Sequence, residues 1–235
     1  MEKYELDVHT HTIASGHAYS TISELVAEAK NKELKLLGIV EHDVGIPGTC
    51  DPIYFKNYHV VPRNFNGLDL ILGIEINILD HDGKLSIDEN LYQYVDYCMA
   101  GIHFHCYQPG TIEQNTHAVI ETIKNPHISV IVHPDDGYCP LDYEKVVLAA
   151  KNYHTLLEVN NNALRSNSRL HSRENVIEML RLCHRCQVPV IFGSDAHIHF
   201  DVMNFDQIES IITEINFPKK LIVNYDVDKF YQFIK

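Results

Sequence analysis

Three histidines lie close together at the start of this 235-residue chain, and two of them are separated by a single residue. The apolar Leu6 and Val8 indicate a strand there, and side chains at positions i and i+2 of a strand point to the same face. His9 and His11 can therefore converge on one ion, with His17 nearby in sequence. Neutral imidazole suits zinc and iron-group ions. The opening of the chain thus predicts a metal site.

Further histidines and acidic or amide residues recur along the chain, each at the end of a short apolar run. They are Glu41-His42-Asp43, Glu75, His103, His133-Pro134-Asp135, Asn160-Asn161 and Gly193-Ser194-Asp195-Ala196-His197. The carboxyl ends of the strands in an α/β barrel lie on one face, where such folds build their active sites. The pattern predicts that seven strand ends direct polar side chains into one pocket.

The elements that position these residues follow from the hydrophobic pattern, because β-branched runs alternate with amphipathic segments as in a parallel sheet wrapped by helices. We expect strands at Glu5–His9, Leu36–Val40, Leu70–Asn77, Tyr97–Ile102, Ser129–Val132, Leu156–Asn160 and Pro189–Phe192. A capping box at Thr21-Ile22-Ser23-Glu24 predicts the first helix. Further helices are expected at Ile112–Lys124, Tyr143–Tyr153, Glu174–Cys186 and Phe205–Ile215. Asp82-Gly83 predicts a hairpin turn, and Val44–Asn66 a long loop.

Composition narrows the class of protein. A hydrophobic content of 45% over 235 residues suits one domain with a substantial core, and we expect residues 1–235 to form it. The formal charge of −13 argues against nucleic-acid and membrane-surface partners. Bound divalent cations would nevertheless reverse the field inside a pocket, so that an anion could bind there. Scattered cysteines, and the lack of an apolar leader or of a stretch approaching eighteen apolar residues, predict a cytoplasmic location.

Taken in order, a set of short motifs resembles the polymerase and histidinol phosphatase (PHP) superfamily. These motifs are His9-Thr10-His11, Glu41-His42-Asp43, Glu75, His103, His133-Pro134 and Asp195-Ala196-His197. In length, and in the run His17-Ala18-Tyr19-Ser20-Thr21, the chain is most similar to the small stand-alone bacterial phosphatases of that superfamily. The resemblance implies an α/β fold with a single distorted (β/α)7 barrel, whose metal site lies at the C-terminal ends of the strands.

The resemblance also implies three divalent metal ions bound by nine side chains. By analogy, one ion is held by His9, His11, Glu75 and Asp195, a second by Glu75, His103 and His133, and the third by His17, His42 and His197. Zinc is the expected metal, with manganese or iron as alternatives, since sites rich in histidine and carboxylate accept all three. His105 shares a strand face with His103 and is an alternative ligand, and His199 could reach the pocket rim.

Such a centre implies hydrolysis of a small phosphomonoester. A hydroxide shared by two ions would attack phosphorus while the cluster neutralises the phosphate oxygens. Asp195 and His197 are the candidate catalytic residues for moving a proton to the leaving group, although both are also implied ligands. Arg63, Asn160 and Arg169 are the candidate substrate-binding residues, because they could meet an oxyanion at the mouth of the site.

Other functions remain open. A histidinol-phosphate phosphatase and a phosphodiesterase or nuclease would use the same kind of centre, although the sequence has no basic groove for a nucleic-acid strand. From a different class, the chain could be a non-catalytic metal-binding regulatory module. An amidohydrolase-like enzyme is disfavoured, because the third strand carries Glu75 and no strand-end lysine is apparent. The sequence specifies neither the leaving group nor the oligomeric state.

Overall fold

The computed structural model describes residues 3–166 and 169–234. Seven parallel strands form one sheet in which each strand lies beside the next in sequence. Their bounds are β1 Leu6–Asp7, β2 Leu36–His42, β3 Asp69–Asn77, β4 Tyr97–Gly101, β5 Ile128–Ile131, β6 Leu156–Asn160 and β7 Val190–Gly193. This sequential order curls the sheet into a nearly closed barrel with helices between the strands, and the predicted (β/α)7 architecture is confirmed.

Eight α-helices lie in the described part of the chain, and none of them is long and apolar enough to cross a bilayer. They are α1 Ile22–Asn31, α2 Ile53–Lys56, α3 Ile112–Lys124, α4 Tyr143–Tyr153, α5 Asn161–Arg165, α6 Ser172–Cys186, α7 Asp206–Glu214 and α8 Val227–Tyr231. The predicted capping box begins α1, because the Thr21 hydroxyl accepts from the Glu24 amide and the Glu24 carboxylate accepts from the Thr21 amide. The predicted bounds of α3 and α4 are confirmed.

The interior of the barrel is filled by apolar side chains beneath the polar strand ends. Tyr97 on β4 crosses this interior, and its hydroxyl donates to the Val8 carbonyl oxygen at 2.5 Å. A Cβ atom on Gly38 or Gly73 would collide with the Tyr97 side chain, so these two glycines leave the space that the ring occupies. Phe230 on α8 packs edge-on against Tyr97 from the far side. These aromatic side chains fill the barrel interior, and the pocket formed by the polar strand ends lies above them.

A side chain takes part in closing the seam between β1 and β7. The fully buried Asn224 amide nitrogen donates to the Leu6 carbonyl at 3.2 Å and to the Phe192 carbonyl at 2.8 Å. Its oxygen accepts from the Phe192 amide at 2.7 Å. Above this point, Thr10 forms a parallel bridge with Ala196. The regular strand β1, Leu6–Asp7, is shorter than the predicted Glu5–His9, although the Thr10 carbonyl still accepts from the Val40 amide of β2.

Two connections differ in how well the sequence predicted them. The hairpin turn at Asp82-Gly83 is confirmed, because Ile78 and Leu85 form an antiparallel bridge and Gly83 adopts a positive φ of 77°. The segment 44–66, expected as a long loop, contains helix α2 and a 3-10 helix at Tyr58–Val60. Helices this short leave too few turns for a periodic pattern to be recognised in sequence.

Candidate metal centre

The nine ligands predicted from the sequence come together at the carboxyl ends of the strands. They are His9, His11, His17, His42, Glu75, His103, His133, Asp195 and His197. Seven of them line a pocket of about 410 Å³, while His9 and His11 lie fully buried and face its carboxylates. Residues far apart in sequence meet here because consecutive parallel strands end at the same face of the barrel.

The first group consists of two imidazoles and two carboxylates. The Nε2 atoms of His9 and His11 lie 3.1 Å apart. Asp195 Oδ1 is 3.1 Å from His11 Nε2 and 3.5 Å from His9 Nε2. Glu75 Oε2 lies 3.4 Å and 3.5 Å from the same two nitrogens. Four potential ligand atoms thus surround one point.

Glu75 also faces three further histidines. Its Oε1 lies 3.0 Å from Nε2 of both His103 and His133. Its Oε2 lies 2.8 Å from Nδ1 of His42. Glu75 therefore stands between two groups of ring nitrogens, which is the position required of a bridging carboxylate.

A third group of imidazoles lies nearer the mouth of the pocket. His17 Nε2 and His197 Nε2 are 2.9 Å apart, and the rings of His17 and His42 stack with centroids 5.0 Å apart. His42 is also close to the other groups, since its ring lies 4.4 Å from that of His11. The three groups are thus parts of one continuous cluster.

Burial and mutual charge set the protonation of the cluster. Burial alone would raise the pKa of Glu75, but the surrounding imidazoles lower it to well below its ordinary value. The same balance, with His9 as the main lowering charge, acts on Asp195. Burial, with a contribution from the Arg169 charge, lowers the pKa of His133 to about 3. At neutral pH these carboxylates are charged and His133 is neutral, which are the forms that bind metals.

His9 differs from His133 in its charge environment. Burial lowers its pKa, but Glu158, Asp195 and Glu75 together raise it to well above its ordinary value. Its Nδ1 lies 2.5 Å from Glu158 Oε1, and a carboxylate oxygen can only accept, so Nδ1 carries a proton. The second proton of the charged ring would lie on Nε2, which faces His11. A cation bound between those two nitrogens would replace that proton.

In and around the cluster, several buried polar atoms make no well-aligned hydrogen bond within the protein, although some lie close to one another. Among the described residues, the atoms in this state are His42 Nδ1, Asp43 Oδ1, Glu75 Oε2, Asn77 Oδ1, His103 Nδ1, His133 Nδ1 and Asp135 Oδ1. All of them belong to residues at or just beyond the ends of β2 to β5. Leaving such an atom unpaired costs about 1–3 kcal/mol. With ring nitrogens facing one another at 2.9 Å and 3.1 Å, this donor set fits divalent cations.

Two buried carboxylates outside the predicted ligand set, Glu41 and Glu158, support the cluster. Glu41 accepts hydrogen bonds from the hydroxyls of Thr12 at 2.5 Å and Ser15 at 2.6 Å, and the Ser15 oxygen lies 3.1 Å from His11 Nδ1. Glu158, which contacts His9, was missed. Its signal in the sequence is a charged residue in the middle of the apolar strand β6.

The three predicted substrate-binding residues have different locations. Arg169 lines the pocket, and its Nη1 donates to the His133 carbonyl oxygen at 3.0 Å. The Asn160 amide nitrogen donates to Glu158 at 3.0 Å and to Asp195 at 3.3 Å, while its oxygen caps α5. Asn160 therefore holds a cluster residue in place.

The structure does not bring Arg63 to the pocket. Its Nε donates to Asp96 at 2.8 Å, and its Nη1 donates to the carbonyls of Tyr58 and Val61. These contacts lie beside the amino ends of β3 and β4, at the opposite face of the barrel from the cluster. The segment 44–66 folds into short helices that return the chain to the start of β3, and this carries Arg63 away.

The alternative histidines are also placed. His103 contacts Glu75, whereas the more exposed His105 lines the pocket and packs at a tilt of 33° against Phe104, with ring centroids 4.0 Å apart. His199 Nδ1 lies 2.9 Å from the Ser20 hydroxyl and does not line the pocket. This geometry favours His103 over His105 as a ligand. Phe104 and Asn162 are pocket residues that the sequence patterns did not single out.

The fold and site together define a seven-stranded α/β barrel whose strand ends gather histidines and carboxylates that could bind metal. The family model described as PHP domain matches residues 7–216, so this chain belongs to the PHP domain family. The family membership expected from the sequence motifs is confirmed.

Relatives over nearly the whole length carry phosphatase names. A protein named probable phosphatase from Clostridium novyi (strain NT) is 41% identical over 99% of this chain and 95% of its own length. Another probable phosphatase, from Caldicellulosiruptor saccharolyticus, is 42% identical over 98% of this chain and 96% of its own length. The enzyme class expected from the sequence, a phosphatase, is confirmed.

Solved structures confirm the fold. The histidinol phosphate phosphatase from Lactococcus lactis, solved with zinc, L-histidinol and phosphate, superposes with a TM-score of 0.63. The match covers 92% of this chain and 95% of that chain at 16% sequence identity. A chain of an archaeal ribonuclease P with mature tRNA superposes with a TM-score of 0.61 at 14% identity, covering 97% of this chain and 89% of that one. At such low identities these matches show the shared barrel alone.

Proposed function

We propose that this PHP-family phosphatase hydrolyses a small phosphomonoester at a centre of three divalent ions, with zinc as the expected metal. The observation that carries the proposal is Glu75, a fully buried carboxylate whose two oxygens both face imidazole nitrogens at 2.8–3.5 Å. Burying one carboxylate among five histidines is energetically costly. Bound cations would offset this cost by coordinating the ring nitrogens and the carboxylate oxygens that face one another.

The nine side chains divide into three sets around this carboxylate. The first would be His9, His11, Glu75 and Asp195, the second Glu75, His103 and His133, and the third His17, His42 and His197. When bound, divalent ions activate a water molecule as the nucleophile and neutralise the phosphate oxygens. The carboxylates and the neutral imidazoles supply the charge and the lone pairs that this requires.

Binding of the phosphate and transfer of a proton to the leaving group are separate tasks for the protein's own residues. Arg169, fixed by the His133 carbonyl, is placed to donate to a phosphate oxygen at the pocket wall. Asp195 has one oxygen facing His9 and His11 and the other facing Asn160, so it has little freedom to exchange a proton. The other candidate catalytic residue, His197, directs Nδ1 at the Asp195 carbonyl at 2.9 Å and Nε2 at His17, so as a proposed ligand it too has no free proton, and no side chain is assigned as the general acid.

The pocket rim favours a particular kind of leaving group. Phe104 follows the cluster residue His103, is 76% exposed and lines the pocket together with the apolar Ile46. Asn162 and Arg169 contribute polar groups to the lining. Among the described lining residues, the acidic ones are members of the cluster, so none is free to pair with a substrate ammonium group. We therefore propose a neutral or anionic leaving group with an apolar face.

Histidinol phosphate is the main alternative substrate, because a structural neighbour is a histidinol phosphate phosphatase. Histidinol carries an amine, and a cationic leaving group would lie near Arg169 without an acidic partner. This charge arrangement supports a different phosphomonoester. Cleavage of a nucleic-acid strand is supported neither by the net charge of −13 nor by a basic groove.

The proposal is tested with a substrate panel and metal-loaded protein. Phenyl phosphate, glycerol phosphate, histidinol phosphate and a single-stranded DNA would be compared, before and after chelation of the metal. We expect turnover of the monoesters, with phenyl phosphate preferred to histidinol phosphate, and its loss on chelation. Cleavage of DNA without monoester turnover would identify a nuclease, and bound metal without any turnover would identify a binding module.

Two further expectations belong with this proposal. We propose that residues 1–235 form one PHP domain, since the sheet is continuous and the late residue Asn224 ties β1 to β7. A cytoplasmic location is supported by six cysteines in the thiol form. A proteolysis experiment that releases a stable fragment would contradict the first of these expectations.

A further inference from the structure

We propose that Glu158 is a positioning residue that orients ligands of the two ions sharing Glu75 and leaves the third ion unaffected. The inference rests on the proposed metal centre. Glu158 lies on β6, is almost fully buried and belongs to none of the three ligand sets. A buried carboxylate is costly unless donors satisfy it, so the identity of its donors indicates its role.

The first donor is an imidazole of the cluster. Glu158 Oε1 lies 2.5 Å from His9 Nδ1, and it can only accept the proton on that nitrogen. With the proton fixed on Nδ1, the lone pair of the neutral ring is on Nε2, the atom that faces His11, Glu75 and Asp195. Glu158 thus selects the tautomer in which His9 can bind a metal.

The other carboxylate oxygen of Glu158 accepts hydrogen bonds from two further residues. Oε2 accepts from the backbone amide of His133 at 2.8 Å, where the chain adopts the uncommon positive φ of 33°. It also accepts from the Asn160 amide nitrogen at 3.0 Å, and the same nitrogen reaches Asp195 at 3.3 Å. One carboxylate therefore fixes His9 directly, His133 through its backbone and Asp195 through Asn160.

The fold keeps a space for this carboxylate. A Cβ atom on Gly193 of β7 would lie 2.0 Å from Glu158 Oε1, so any side chain there would push the carboxylate away. Gly193 has no positive φ that would require glycine. The absence of a side chain at this position is explained by the room that Glu158 needs beside His9.

Glu158 contacts the ligand sets of two of the three proposed ions. His9 and Asp195 belong to the first set, and His133 belongs to the second. Among the described residues, the hydrogen-bond partners of Glu158 do not include His17, His42 or His197. The Nδ1 atoms of His17 and His197 instead face the carbonyls of Ser15 and Asp195. Loss of Glu158 should therefore lower the affinity of the protein for the first two ions and leave its affinity for the third unchanged.

Glu158→Gln is the informative substitution because all three partners of the carboxylate donate. If the new amide nitrogen faces His9, that ring must accept at Nδ1, and its Nε2 then carries the proton and cannot bind a metal. If the nitrogen faces the other way, His133 and Asn160 lose their acceptor. Either orientation damages the centre while side-chain volume is retained.

The test is zinc binding to metal-free protein, followed by titration calorimetry and elemental analysis. For Glu158→Gln we expect the affinity for two ions to fall by about 10–100-fold, as supporting residues of metal sites usually show, with the third retained. Asp96→Asn is the matched control, because it removes a carboxylate that accepts a backbone amide at the other end of the barrel. Full binding of three ions by Glu158→Gln would overturn the inference.

A second variant covers the case in which Glu158→Gln does not fold. Gly193→Ala keeps the charge but displaces the carboxylate, and we expect it to weaken the same two ions. Unchanged affinity for all three ions in Gly193→Ala would also contradict the inference. If the wild-type protein itself binds no zinc, the proposed metal centre fails, and that outcome is distinct from the failure of the role of Glu158.

Discussion

The two ends of the barrel differ in whether their polar side chains find hydrogen-bond partners within the protein. At the amino ends of β3 and β4, Asp96 accepts from Arg63 and from the Leu72 amide, and the Arg63 guanidinium also reaches two backbone carbonyls. At the carboxyl ends, Glu75 and its histidines face one another, and several buried atoms have no partner. The first end is complete in itself. The donor set of the second end fits divalent cations, and this difference marks it as the candidate functional end.

The same comparison separates residues that hold the fold from residues that act. Asn224 and Asp96 form hydrogen bonds with backbone groups, so substituting them should lower the free energy of unfolding. Glu75, Arg169 and Phe104 face the pocket, so their loss should be felt in metal content, turnover or selectivity. Substitutions at the two ends should therefore give different signatures.

The largest effect is expected from Glu75→Gln. The amide has one acceptor oxygen and no charge, so it cannot bridge two sets of ligands. We expect the first two ions to be lost together and turnover to fall by more than about 100-fold, the upper end of what loss of a supporting residue costs. Elemental analysis and phosphatase assay measure this, with the exposed Glu144→Gln as control. Full metal content and turnover in Glu75→Gln would rule out the bridging role.

A smaller effect is expected from Arg169→Ala. Loss of a charged donor to a phosphate oxygen costs about 1.5–3 kcal/mol, equivalent to about 10–100-fold in kcat/KM. The loss should reduce kcat/KM for every phosphomonoester by a similar factor, since the contact is to the phosphate. Arg173→Ala removes an exposed arginine that pairs with Glu214 and provides the control. Equal activity of the two variants would remove Arg169 from the substrate site.

Phe104→Ala should change selectivity more than overall activity. If the ring packs on the leaving group, kcat/KM for phenyl phosphate should fall by about 3–10-fold, the range for an aromatic contact of about 0.5–1.5 kcal/mol. Glycerol phosphate should be affected little. Phe200, 68% exposed and outside the pocket lining, gives the control Phe200→Ala. A uniform loss on both substrates would argue against a leaving-group contact.

The smallest functional effect is expected from Arg63→Ala. The ion pair with Asp96 is partly exposed, so its loss should lower the free energy of unfolding by about 1 kcal/mol. Turnover should be unchanged, because Arg63 lies at the other end of the barrel. Urea denaturation and the phosphatase assay measure the two quantities. A loss of turnover at unchanged stability would place Arg63 in the substrate site after all.

Most of the barrel and the proposed ligand set could be predicted from the sequence. Buried parallel strands are continuous apolar runs, and polar residues such as His42 and His133 interrupt them where each strand ends. Periodicity therefore located the strands and the cluster together. The capping box at Thr21 located α1 for an equally local reason.

The roles of Arg63, Asn160 and Glu158 could not be predicted from the sequence, because they depend on contacts between residues that are distant along the chain. Arg63 was placed in the site because it lies in a segment that resembled a loop, and only the folded path of that segment shows otherwise. Asn160 stands at a strand end as expected, but its partners Glu158 and Asp195 determine that it supports the cluster. Glu158 gains its role from a contact across 149 residues of sequence.

The central claim is that the carboxyl end of the barrel is a catalytic metal centre. Elemental analysis of protein purified without a metal-binding tag, paired with hydrolysis of phenyl phosphate by the same sample, tests it most directly. We predict close to three divalent ions per chain and turnover that a chelator abolishes and added zinc restores. No bound metal and no turnover, even after addition of zinc or manganese, would contradict the account.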